Sequence, residues 1–267
     1  MSVKPVTMPF QSNAGIRYFQ FDCLGQGLTQ AVFTRQGGCS PEPWMALNLG
    51  GTVGDDPARV AENRTRALLA LNRPPESVYD VWQVHGVDVV IAEGPRSPDV
   101  RHLQADTILT NTPGVTLLMR FADCVPIFLH DPVRKVVGIS HAGWMGTVRG
   151  TVRQAVAAMQ ARYGSNPADI LAGIGPSIGP DHYEVGPDVV AQVRQSFGQS
   201  AASLFTDHAG ATHFDLWAAN RLILQEDGVR QIELAGLCTA CHLEDWYSHR
   251  AEHGHTGRFG AIIALNS

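Results

Sequence analysis

Four short apolar runs crowd into residues 105 to 140: Ala105–Thr110, Val115–Phe121, Val125–His130 and Lys135–Ser140. They are rich in Val, Ile, Leu, Phe and Thr, and turn sequences such as Asn111-Thr112-Pro113-Gly114 and His130-Asp131-Pro132 punctuate them. Runs of this kind read as strands joined by tight turns, so the centre of the chain is a β-hairpin block. More strands are expected at Ile16–Phe21, Gln30–Thr34, Val78–Val84, Val87–Ala92, Asp169–Gly175, Ile232–Leu237 and Phe259–Leu265. Helical periodicity marks a segment that starts with Asp56 as N-cap and Pro57 at the first position. It also marks Gly150–Tyr163, Pro187–Phe197 and Phe214–Glu226. Strands outnumber helices and do not alternate with them. The expected class is therefore mixed α+β, with layered mixed sheets flanked by helices, rather than a doubly wound parallel sheet.

Hydrophobic residues make up 44% of the 267 and charged residues 17%, enough to bury a substantial core. No linker, composition break or repeat interrupts the chain, so residues 1–267 are expected to form one domain. The net charge is −5, and no Lys/Arg cluster is long enough to track a phosphate backbone, which argues against nucleic acid as a partner. Met1–Phe10 has no apolar segment of the secretory kind, and no stretch approaches the ~18 apolar residues of a membrane helix. A cytoplasmic protein with no membrane contact is expected.

Three chemistry-bearing residues stand at or near the ends of strand-like runs. They are His85 in Gln83-Val84-His85-Gly86, Cys124 in Ala122-Asp123-Cys124-Val125-Pro126, and His141 in Ser140-His141-Ala142-Gly143-Trp144. Singly, each has a plain explanation: hydrogen-bonded histidines near strand ends and a buried apolar thiol. Together, at one edge of a sheet, one thiolate and two imidazoles fit a zinc ion with an open coordination position. They also fit a metal-free Cys-His nucleophile pair. Gln83 and His85, two apart on a strand, are expected to face one side. Asp123 is expected to fix a loop or orient a ligand.

Other polar residues lie in glycine-rich loops. Arg35 and Ser40 flank Gly37-Gly38 and can contact an anion; Asn48 precedes Gly50-Gly51; Arg250 and Arg258 flank His249, His253 and His255, which read as a solvated loop. Gly173-Ile174-Gly175-Pro176-Ser177-Ile178-Gly179 has the wrong spacing for a dinucleotide fingerprint and reads as a tight turn. Five cysteines make no disulfide framework. Cys238-Thr239-Ala240-Cys241 has the form of half a zinc site or a redox pair. With no second C-x-x-C, the plain reading is a buried strand end followed by an incidental thiol.

Taken in order, these motifs resemble those of the polyphenol oxidase/laccase-domain family. The matching segments also include Phe33-Thr34-Arg35-Gln36-Gly37-Gly38-Cys39-Ser40, Ala105-Asp106-Thr107-Ile108-Leu109-Thr110, Tyr183-Glu184-Val185-Gly186 and Thr256-Gly257-Arg258-Phe259. Members of that family include purine nucleoside phosphorylases and proteins described as peptidoglycan editing factors. The resemblance implies that His85, Cys124 and His141 hold zinc. It implies an α/β/β/α layered fold similar to cysteine-hydrolase toxins, and phosphorolysis of adenosine and inosine, with adenosine deamination and methylthioadenosine cleavage as further activities. Arg35, Ser40, Asn48, Gln83, Asp123 and Arg250 are then the expected substrate-binding residues. A purine nucleoside and phosphate are the expected partners of a monomer or small homo-oligomer. Two departures stand out: Met145 replaces an arginine of the family's His-Ala-Gly-Trp-Arg-Gly, and Ser248-His249-Arg250-Ala251 replaces Ser-Tyr-Arg-Arg.

Three other readings remain open at this point. One is a cysteine hydrolase or amidase that edits a peptidoglycan precursor. Another is a copper-dependent polyphenol oxidase, which the scarcity of paired histidines disfavours, although two histidines, a cysteine and a weak Met145 can make a blue-copper site. The last is a zinc-stabilised interaction module without catalysis.

Overall fold

The computed structural model describes residues 10–208 and 210–266. Most strands fall into two six-stranded sheets. The first has the order β1 (Phe10–Asn13), β2 (Ile16–Phe19), β3 (Leu28–Phe33), β14 (Phe259–Leu265), β7 (Thr116–Phe121) and β4 (Val78–Asp80). The second runs β13 (Gln231–Leu234), β10 (Leu171–Ile174), β8 (Val125–Asp131), β9 (Val136–Ala142), β6 (Thr107–Thr110) and β5 (Val89–Ile91). Both sheets are mixed: β4–β7, β5–β6 and β10–β13 pair parallel, and the other pairs run antiparallel. A small hairpin, β11 (Phe205–His208) and β12 (Ala211–Phe214), stands apart.

Period-two alternation explains how these strands stack. Leu117, Met119 and Phe121 of β7, with Ala261 and Ile263 of β14, join Phe128, Val137 and Ile139 of the second sheet in one buried cluster. The intervening Leu118 and Ile262 point the other way, onto Ala67 and Leu68 of helix α1 (Pro57–Leu69). On the second sheet, Val125, Ile127 and Leu129 face away from the first. They pack on Val152, Val156 and Met159 of α3 (Thr151–Tyr163) and on Ala219 and Ile223 of α5 (Leu216–Glu226). The layers are therefore helix, sheet, sheet, helix. β7, β8 and β9 are buried on both faces, which is why they read as continuous apolar runs. No helix among the described residues is long and apolar enough to cross a membrane.

Several expected boundaries move. The strand expected over 78–84 stops at Asp80, and the one expected over 87–92 is only Val89–Ile91. Between them the chain leaves the first sheet for the second. Gln83 and His85 are therefore not two residues of one strand. β9 runs past Ser140 and carries His141 inside it. A short helix, α2 (Trp144–Arg149), precedes α3 and was not signalled by periodicity. At Phe214 a strand ends, and Asp215 caps α5 by accepting from the Ala218 amide.

Candidate active site

Two links switch the chain between sheets at the same end of the strands: β4 to β5, and β7 to β8. Each contains a non-glycine residue in the left-handed region, His85 at φ 57° and Asp123 at φ 82°. Such backbone is costly for a side-chain-bearing residue and persists only where its surroundings impose it. Here those surroundings are two buried carboxylates. Asp106 Oδ2 accepts from the Val84 amide at 3.1 Å and the Gly86 amide at 2.7 Å, which pins the His85 link. Asp123 Oδ1 accepts from Thr239 Oγ1 at 2.7 Å, Oδ2 accepts from the Arg250 amide at 2.6 Å, and its carbonyl accepts from the Ile178 amide at 3.0 Å.

The two links and β9 bring His85, Cys124 and His141 together, with one ligand-type atom of each within 4.8 Å of the others. Cys124 Sγ lies 3.9 Å from His85 Nε2, and the two imidazole rings meet edge to face at 4.9 Å. His141 Nδ1 bonds Asp106 Oδ1 at 2.7 Å, which leaves Nε2 to face the other two residues. Gly143 completes the cradle: a Cβ there would lie 2.9 Å from Cys124 Sγ and 3.2 Å from His85 Cδ2.

Burial alone would raise the Cys124 thiol, but His141 and His85 outweigh it and bring it down to about 6. Burial would lower His141, yet the Cys124 sulfur and Asp106 carry it above its ordinary value. Asp106 is itself held low: its bonds to His141 and to the two amides override desolvation. Without a metal the site thus favours a thiolate beside an imidazolium. A divalent cation held by the same three donors would take the place of that proton. A thiolate, two imidazoles and a carboxylate behind one ring are a donor set that suits zinc.

The three residues line a cavity of about 580 Å³ that opens to solvent. Arg64, Arg120 and Arg258 line it too, with His102, His249 and the half-exposed Trp82. Asp80 neutralises Arg120 at 2.8 Å and also engages Arg96 and His102. Arg64 and Arg258 differ. They donate to backbone carbonyls of Leu49, Thr256 and Gly257, and among the described residues neither has a carboxylate partner. Burial depresses both guanidinium groups, Arg64 to about 10 with Arg120 nearby. Acidic groups act on both from a distance, Asp80 on Arg64, and Cys124, Asp123 and Glu252 on Arg258, but none is in contact, so two desolvated guanidinium groups line this wall ready for an anion.

The remaining expected site residues are distributed differently. Gln83 lines the cavity, and its amide pairs with both the Arg120 amide and carbonyl, tying the first link to β7. Arg35 lies outside the lining. It forms an ion pair with Glu252 at 3.0 Å, donates to the Met45 and Leu243 carbonyls, and stacks on Tyr247 at 4.4 Å. Ser40 and Asn48 are buried and converge on Asp55, where they brace the loop before α1. Arg250 donates to the Glu184 carbonyl and lies over Tyr183. Met145 sits on α2, away from the lining. Asp106, Arg64, Arg120 and His102 are functional residues that no sequence motif marks out. Asp106 carried a signal, as a lone carboxylate heading the apolar run 105–110.

Residues 29–266 match the family model described as multi-copper polyphenol oxidoreductase laccase. The chain belongs to this family. A purine nucleoside phosphorylase of Deinococcus radiodurans is 40% identical over 235 residues, 88% of each chain. The purine nucleoside phosphorylase YfiH of Escherichia coli is 35% identical over 243 residues, 90% of this chain and 95% of that one. Among solved structures, YlmD of Geobacillus stearothermophilus superposes with a TM-score of 0.90 at 33% identity, covering 97% of this chain and 99% of that one. The laccase-like family therefore includes relatives named for a phosphorolytic activity on purine nucleosides.

Proposed function

We propose that the protein is a zinc-dependent purine nucleoside phosphorylase that converts adenosine or inosine and phosphate to the free base and ribose 1-phosphate. One observation carries this reading: the Cys124, His85 and His141 donors share a single open cavity with two arginines that form no ion pair with a carboxylate among the described residues. The names of the relatives point the same way. Zinc held by the three donors would supply a Lewis-acidic charge beside the phosphate or a water molecule.

The chain's own residues do the rest. Arg64 and Arg258 bind the phosphate and offset its charge as it approaches C1′ of the ribose. Trp82, half-exposed in the lining, offers aromatic surface to the base. The C1′–N9 bond breaks as the C1′–O bond forms, and the departing purine takes a proton. His102, held by Asp80 at 3.1 Å, and His249 are the cavity imidazoles placed to give it. Asp106 keeps the His141 ring in one orientation throughout. Adenosine deamination and methylthioadenosine cleavage belong to the same cavity, with water or a thioether-bearing nucleoside in place. Small-molecule partners and a cytoplasmic setting fit such chemistry. The test is adenosine plus phosphate with metal-loaded protein, scored for adenine and ribose 1-phosphate; absence of both products rejects the proposal.

A metal-free cysteine hydrolase is favoured by one observation, the low thiol of Cys124 beside His141. Full activity in a zinc-free preparation would select it. Copper oxidation fits less well, because Met145, the one sulfur suited to a blue-copper axial position, does not line the cavity.

A further inference from the structure

A second group of metal-ligating side chains lies outside this cavity. Asp181, His182, Cys238 and Cys241 place one ligand atom each within 4.8 Å of one another. The C-x-x-C pair, which reads as incidental in sequence, has its other half in the adjacent Asp181-His182 rather than in another cysteine pair.

Two loops build the group. One follows β10 and the other follows β13, the parallel neighbours at one edge of the second sheet. Beyond the strands the loops remain stitched together: the Ser177 amide donates to the Leu237 carbonyl and the Thr239 amide donates to the Ser177 carbonyl, both at 3.1 Å. Gly179 lets the first loop close over Cys238, since a Cβ there would lie 2.6 Å from Asp181 Oδ1 and 3.1 Å from Cys238 Cβ. The Gly179 amide donates to Cys238 Sγ at 3.2 Å, which fixes the position of that sulfur.

The separations suit a tetrahedral ion. With Zn–S near 2.3 Å and Zn–N or Zn–O near 2.0–2.1 Å, tetrahedral angles put sulfur and nitrogen or oxygen ligands roughly 3.6 Å apart. Here His182 Nδ1 is 3.8 Å from Cys238 Sγ and 3.6 Å from Cys241 Sγ, and Asp181 Oδ2 is 3.5 Å from Cys241 Sγ. Asp181 Oδ2 and His182 Nδ1 are 3.1 Å apart, against roughly 3.3 Å for two light ligands.

We propose that Asp181, His182, Cys238 and Cys241 form a second, structural zinc site that clips the loop after β10 to the loop after β13. Four protein ligands leave no open position, so this ion is structural and not catalytic. Two thiolates with one imidazole and one carboxylate select zinc over magnesium or calcium. The clip reaches the cavity through Thr239, which donates to Asp123, the residue that shapes the turn into Cys124. Ordering Thr239 therefore steadies the catalytic-side sulfur from behind.

The decisive experiment is metal analysis of the full chain, refolded or reconstituted with zinc under reducing conditions and desalted. Cys241 is exposed, so Cys241→Ser is expected to fold, with far-UV circular dichroism as the check. The expected result is the loss of one zinc per chain in Cys241→Ser and in His182→Ala, while His85→Ala loses a different ion and keeps this one. Cobalt substitution gives an independent readout. The thiolate-to-cobalt absorption that survives in His85→Ala/Cys124→Ser should vanish when Cys238 and Cys241 are also changed. Unchanged zinc content in Cys241→Ser, or a Cys238–Cys241 disulfide in the zinc-loaded protein, overturns the proposal. Because each ion is tied to its own variant, failure of the cavity site and failure of this one are separable.

Discussion

Asp106 gives one carboxylate oxygen to His141 Nδ1 at 2.7 Å and the other to the amides on both sides of His85. A single buried carboxylate thus sets the ring of one histidine and the backbone of the other. Asp106→Asn keeps the size but turns one acceptor into a donor, so one of these contacts becomes donor against donor. Its expected effect is a zinc affinity about 10–100-fold weaker. Competition against a chelator measures this, and a thermal scan confirms that the variant folds.

Cys124 answers the choice between metal and nucleophile. In metal-free protein its thiol, brought down to about 6, should alkylate with iodoacetamide at a rate that levels off near pH 7. An ordinary thiol, with a pKa of about 8.5, would keep rising to about pH 9.5. Zinc should protect the Cys124 peptide, as read by mass spectrometry. Cys124→Ser should lose both the cavity zinc and the phosphorolysis. If zinc-free protein turns over at the full rate while Cys124 reacts, the hydrolase reading takes over.

Much of this site could be read from the sequence, and the limits have physical causes. The hairpin block from Ala105 to Ser140 and the amphipathic α1 and α3 follow from local period and turn chemistry, because each of those signals lies within one element. His85 and Cys124 stood out by residue type. That they meet depends on two links changing sheets at one end of the strands, a long-range fact with no local pattern. Arg35 and Ser40 sit in a loop that suggests an anion site, and Asn48 in another glycine-rich loop, yet each is engaged by a neighbour distant in sequence: Glu252, Asn63 and Arg258. Arg64 looks in sequence like any exposed helix arginine. Only the packing of α1 beside the Leu49 loop turns it toward the cavity.

Arg64→Gln tests the anion wall. Removing a cation that has no carboxylate in contact among the described residues should raise the KM for phosphate about tenfold, which is about 1.4 kcal/mol of binding, and change kcat less. The KM for nucleoside should move little. Steady-state kinetics with each substrate varied in turn separates the two. Equal losses for phosphate and nucleoside would show that Arg64 supports the loop rather than the anion.

Acid stability should report on Asp80. Burial opposes its charge, but Arg120, Arg96 and His102 hold it down to about 2. A carboxylate depressed below its unfolded value of about 3.9 stabilises the fold fully above that pH and loses the effect as pH falls toward 2. The shift corresponds to about 2–3 kcal/mol. Asp80→Asn should therefore lower unfolding stability by at least that much at pH 7, since it also strands Arg120. The gap to wild type should stay constant down to about pH 5 and narrow between pH 4 and 2. Urea denaturation at a series of pH values follows it.

Gly143→Ala isolates the space the ion needs. Gly143 adopts φ −72° and ψ 178°, which any residue tolerates, so the substitution carries no backbone strain. Its methyl group would lie 2.9 Å from Cys124 Sγ and 3.2 Å from the His85 ring. Those two side chains must separate to admit it, and a separated pair cannot close on one ion. The metal-free variant should therefore melt within a few degrees of metal-free wild type, because only cavity-lining groups shift. With Cys241→Ser present in both proteins to remove the loop-clip ion, zinc should raise the melting temperature of the protein that keeps Gly143 and have a much smaller effect on the Gly143→Ala protein, and phosphorolysis should fall about 100-fold or more. A variant that binds zinc and turns over like wild type would mean that Cys124 and His85 do not act on a shared ion.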